Sequence, residues 1–126
     1  MKTWKLLRWF LFLVALHSFL TGINLIAFSS SLMEQFGFSA ISEPFFKVQG
    51  GVFHLVMAVA YLFAGWHPQR NSAMVWLTIT AKCIATIFLF SYYAFVDHIL
   101  VVLLSGIGDG IMGLIVFVLW KRLQKE

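Results

Sequence analysis

A helix needs about 20 apolar residues to cross a hydrocarbon layer of roughly 30 Å, and this chain contains four such stretches, at about 7–29, 46–66, 73–96 and 98–120. No water reaches the peptide groups of a lipid-embedded segment, so each stretch must satisfy its own backbone as a helix. Composition agrees: the 126 residues are 61% hydrophobic and 11% charged, where a soluble domain carries about 25% charged residues. A body this small cannot bury such an excess, and lipid has to cover it. The expected fold is therefore all-α, a single domain over residues 1–126 forming an up-down-up-down bundle of four transmembrane helices.

The breaks between stretches have physical causes. Ser29-Ser30-Ser31 ends the first run, and Glu34, Gly37 and Glu43 make the segment up to Pro44 a polar, turn-rich connection. Pro44 suits the first turn of the second helix, where no intrahelical donor is needed. His67-Pro68-Gln69-Arg70-Asn71-Ser72 separates the second helix from the third, and a very short link around Asp97 and His98 predicts a tight hairpin of the last two. The first run exceeds the 7–15 apolar residues of a signal-peptide core and no small-x-small cleavage site follows, so it is expected to remain as a helix.

Lys2, Lys5, Arg8, Arg70, Lys121, Arg122 and Lys125 fall on one side of the membrane and Lys47 on the other. This asymmetry predicts that both termini face the cytoplasm. Trp4, Trp9, Trp66, Trp76 and Trp120 then fall near cytoplasmic helix ends as interfacial anchors. The basic residues do not form a stripe interleaved with aromatics, so nucleic acid is not an expected partner. Cys83, alone in an apolar run, reads as a small buried hydrophobe and supports neither a disulfide nor a metal site.

One ionisable residue interrupts each run: His17, His54, Lys82 and Asp109. All four fall within roughly 5 Å of the bilayer midplane at 1.5 Å rise per residue. A charge there is costly, so such groups face one another or a cavity. Helical spacing extends each into a polar stripe: His17, Thr21 and Asn24; Gly50, His54, Met57 and Tyr61; Thr78, Lys82 and Thr86; Ser105, Asp109, Met112 and Val116. Lys82 and Asp109 are expected to pair, either to fix packing or to serve a ligand or proton site. The histidines either bond a helix carbonyl or Thr21, or join a proton relay; haem ligation lacks any further mark of a porphyrin pocket. His67 and His98 lie at membrane surfaces. Gly106, Gly110 and Gly113 are expected at a helix-packing face, and Gly108 with Gly110 to open access to the Asp109 carboxylate.

The candidate ligand-binding or proton-handling residues are thus His17, Asn24, His54, Lys82 and Asp109, with no catalytic residue, metal or cofactor assigned. No phosphate-binding loop, HExxH or nucleophile elbow occurs. Gly50-Gly51 opening the second helix, the short hairpin of the last two helices and Ser105-Gly106-Ile107-Gly108-Asp109-Gly110 resemble the small four-helix bacterial membrane proteins grouped around DoxX, although Lys47 stands where an arginine is looked for. The resemblance covers nearly the whole chain and implies an inner-membrane bundle working beside redox partners. It brings no catalytic residues. The leading expectation is an accessory or binding subunit of a membrane oxidoreductase, or a protein binding a small lipophilic molecule such as a quinone, in contact with lipid and with a membrane partner or further copies of itself. The alternatives are an oligomeric proton or small-solute transporter and a membrane-embedded enzyme using the His/Lys/Asp cluster.

Overall fold

The computed structural model describes the whole chain, Met1–Glu126. It is entirely helical: α1 (Thr3–Ala27), α2 (Ser30–Gln35), α3 (Phe45–Trp66), α4 (Ser72–Phe95) and α5 (Leu100–Leu123). The four long helices are each long and apolar enough to cross a membrane. α1 begins four residues before the expected start and carries Lys5 and Arg8 in its first turns, and α5 runs three residues past the expected end through Lys121 and Arg122. Helices continue into the headgroup region wherever their flanking cations snorkel to water.

α1 packs chiefly on α3, and α4 on α5; the two pairs join through α1 against α5 and α3 against α4, so the four helices form a square with no diagonal contact. Both termini and the 67–71 link lie at one end of the square, the terminal end, and residues 28–44 and 96–99 at the other, the far end. Only 25 of 126 residues are buried. The apolar excess therefore lies outside, where Leu13, Leu16 and Phe19 of α1, Val52, Phe53 and Val56 of α3, Ile84 and Ile87 of α4, and Ile107, Ile111 and Leu114 of α5 are exposed. A continuous coat of this size is untenable in water. It makes the chain a multi-pass membrane protein.

The interior is unevenly filled. Leu7, Leu11, Val14, Ala15, Tyr61, Ala64, Val75, Ile79, Val116, Leu119 and Trp120 form one apolar core, and every one of them lies in the terminal half of its helix. Trp120 belongs to this core at 5% exposure, which corrects its expected place as an interfacial anchor: it sits on the inner face of the last turns of α5, and its indole N–H finds no partner. Trp9 and Trp66 are exposed. Cys83 is also exposed, not buried as expected, because it follows inward-facing Lys82 and so turns outward.

α2 was expected as irregular connection and is instead a short capped helix. Ser29 Oγ accepts from the Leu32 amide at 3.2 Å. At the other end Gly37, at φ +99°, lets Gly37 N–H donate to Glu34 O and Phe38 N–H to Met33 O. This paired closure needs a left-handed residue, which glycine adopts without steric cost. It also folds Phe38 back beside Met33. Pro44 takes the N-cap position of α3, just outside its first turn, while Glu43 Oε1 accepts from the Phe45 amide at 3.1 Å.

Where backbones come closest, glycine is required. A Cβ on Gly22 would stand 2.7 Å from Gly51 O, and one on Gly51 2.7 Å from Gly22 O, so α1 and α3 touch backbone to backbone. On α5, Gly106 faces Phe90 and Leu89, Gly110 faces Thr86, and Gly113 faces the Lys82 Cβ at 2.9 Å. Gly108 meets nothing within 4 Å. It does not open a path to the carboxylate, because it points away from the α4 face that Gly106, Gly110 and Gly113 share. Gly108→Ala should therefore raise stability by up to about 1 kcal/mol through helix propensity alone. Unfolding in mixed micelles measures this; a loss of stability would mean that something packs on Gly108.

Candidate functional site

Above the core, the far half of the bundle holds a cavity that is open along part of its wall. This cavity of about 760 Å³ is lined by α1 through His17, Thr21, Asn24, Leu25 and Phe28, by α4 through Ala85, Phe88, Leu89 and Tyr92, and by α5 through Val101, Val102, Ser105 and Asp109. α3 contributes His54 alone, and Met33, Phe36 and Phe38 of the α2 region border the far end. Of its ionisable groups, His17, His54 and Asp109 lie at the midplane floor, and Tyr92 lies toward the far end. The wall from there to the mouth is mainly apolar.

The floor rests on the Lys82–Asp109 pair. Lys82 Nζ donates to Asp109 Oδ1 at 2.6 Å, with side-chain exposures of 5% and 11%. The α4–α5 hairpin brings the two to one depth, and Gly113 leaves room for the lysine stem. The ammonium also lies 5.4 Å from the centre of the Tyr61 ring, a further compensation for a cation taken out of water. Lys82 does not line the cavity, whereas Asp109 does. The pair thus turns its anionic member toward any occupant.

Most hydroxyls of the expected polar stripes do not bridge helices. Thr21 Oγ1 donates to His17 O, Thr78 Oγ1 to Met74 O, Thr86 Oγ1 to Lys82 O and Ser105 Oγ to Val101 O. Each back-bonds the preceding turn of its own helix, as such residues do when no better partner is available. Thr21 is therefore committed to the backbone of His17 and leaves the imidazole free. The bridging hydroxyl is Ser18, which sequence reasoning passed over: it is 1% exposed, donates to His54 O at 2.7 Å and lies 3.5 Å from His54 Nδ1. No pattern in the chain distinguishes Ser18 from its neighbours; only the α1–α3 crossing beside Gly22 and Gly51 gives it a partner.

Lys47, the isolated cation of the far end, also has a structural partner. Its Nζ donates to Leu25 O at 2.7 Å and to Phe28 O at 2.8 Å, satisfying carbonyls that the C-terminus of α1 leaves open. At the other end Asn71 Nδ2 donates to Phe63 O at 2.8 Å and does the same for α3.

Of the five candidate site residues, the structure thus gathers His17, Asn24, His54 and Asp109 on one cavity, with Lys82 directly behind its floor. The aromatic wall of Phe28, Phe36, Phe38 and Phe88 was not foreseen. These residues read as ordinary lipid-facing or loop hydrophobics, and only the assembled bundle places them along the rim of one cavity, where Phe36 and Phe88 stay largely exposed. Fold and site together define a multi-pass four-helix membrane protein with a membrane-embedded, polar-floored cavity. Compared with known protein families, curated proteins and solved structures, the chain matches none.

Proposed function

We propose that this protein binds a small lipophilic molecule within the membrane, holding its polar end at the His17–His54–Asp109 floor. The observation that carries the reading is the cavity itself: its volume of about 760 Å³ lies in the range of about 300–1,000 Å³ usual for small-molecule sites, and apolar walls with a few convergent polar groups are their usual lining. The resemblance to DoxX-like proteins is the support for an inner-membrane location and the Lys/Arg asymmetry the support for cytoplasmic termini, and a quinone-type molecule or a membrane oxidoreductase partner fits the same reading. Proton or solute conduction is less well supported, since the apolar core from Leu7 to Trp120 fills the bundle between the floor and the terminal end.

Intact-protein mass spectrometry of the chain released from native membranes tests the proposal. The wild type should carry a bound lipophilic molecule. Ala85→Phe/Ser105→Phe, which fills the cavity from two small wall positions, should lower its occupancy at least about tenfold without loss of folding. A wild-type protein that comes out empty, or a filled variant that retains its ligand, would count against the reading.

A further inference from the structure

Resting on the reading of the cavity as a lipophilic site, the hydrogen-bonding state of its floor specifies the occupant's head. Asp109 Oδ1 is taken by Lys82, while Oδ2 accepts no hydrogen bond from the protein and belongs to a residue lining the cavity. A carboxylate oxygen only accepts, so its complement must donate. The imidazole of His17 has no hydrogen bond within the protein, and that of His54 has only the long approach of Ser18. These rings stand ready to bond a second polar atom of the same head.

Charge narrows the choice. An anionic head would meet the Asp109 carboxylate first, with the Lys82 ammonium screened behind it. A cationic head would find a carboxylate already compensated by an ammonium 2.6 Å away, and no other acidic residue lines the cavity. Neither ion recovers the cost of leaving water at the midplane. A head with acceptors alone leaves Oδ2 unsatisfied, and an unmade buried hydrogen bond to a charged group is expensive. We infer that the occupant is an amphiphile with an uncharged, hydroxyl-bearing head seated on Asp109 Oδ2 between His17 and His54, its apolar body directed toward Phe28, Phe36 and Phe38. From floor to mouth that body has roughly 12–16 Å of wall, at 1.5 Å per residue over Val101–Asp109 and His17–Phe28.

Four probes sharing one dodecyl-length chain separate the head classes: monododecanoylglycerol, methyl dodecanoate, dodecyl phosphate and dodecyltrimethylammonium. They are competed, on the full chain in lipid nanodiscs, against monododecanoylglycerol carrying a diazirine either beside the head or at the chain end. The head-proximal label should map to the segments around His17, His54 and Asp109, and the chain-end label to residues 28–38. The three other heads should compete at least about tenfold less well, the equivalent of one hydrogen bond to a charged group. In Lys82→Met/Asp109→Leu that preference should vanish while methyl dodecanoate still binds. Equal binding of the methyl ester, preference for either ion, or reversed labels would overturn the inference and leave the cavity reading intact. A cavity that takes no probe, in a protein that also carries no native ligand, would overturn both.

Discussion

Lys82→Met and Asp109→Leu, made singly, should each lower stability by about 3–5 kcal/mol, the cost of leaving one member of a buried ion pair without its partner. The pair is bonded at 2.6 Å and largely buried, and neither residue's side chain makes any other hydrogen bond within the protein. The double variant removes both charges together and places an apolar pair on the α4–α5 seam. Replacement of a buried pair by hydrophobes is often neutral, so the double variant should be more stable than either single one. Reversible unfolding in mixed micelles gives the three values, and the coupling between them should exceed about 1 kcal/mol, as for residues in direct contact. Small additive effects would dissolve the pair as a structural element. Function separates its two roles: if the pair only fixes packing, the double variant keeps native ligand binding; if Asp109 receives the ligand head, the double variant is folded but has lost its head preference.

Gly51→Ala should cost about 2–3 kcal/mol, whereas Gly50→Ala next to it should be neutral or stabilising by up to about 1 kcal/mol. The two changes have the same propensity gain and almost the same membrane depth. They differ in what the new methyl group meets. At position 50 its nearest neighbour is Leu25 Cδ1 at 4.0 Å, an ordinary contact; at 51 it is the carbonyl oxygen of Gly22 at 2.7 Å, with Ile26 equally close. A backbone carbonyl cannot rotate away as a side chain does, so α1 and α3 must separate. That separation pulls Ser18 from His54 O and reshapes the cavity floor, so ligand occupancy should fall with stability. Equal responses at 50 and 51, by thermal unfolding and bound-ligand mass, would place the α1–α3 contact elsewhere.

Chain chemistry settles the four spans and their order, because the cost of an unsatisfied peptide in lipid leaves the helix as the only solution for a long apolar run. It also points to Lys82 with Asp109: a charge at the midplane needs a compensating neighbour, and a short link makes α4 and α5 neighbours. Ser29 and Gly37 already carried the caps of α2, yet a six-residue helix lacks the periodicity that would separate it from a polar loop. Tertiary packing settled everything that depends on which helix faces which. A stripe of hydroxyls looks the same whether it bridges helices or bonds its own preceding turn, and here only Ser18 of the buried hydroxyls bridges. Depth and composition place Trp120 at the interface and Cys83 inside, but helix rotation, set by the square of four helices, buries the first and exposes the second. The cavity is likewise a property of the assembled bundle. Apolar side chains that lie in lipid and apolar side chains that wall a ligand site have the same composition, and only the interhelical geometry of the far half tells them apart.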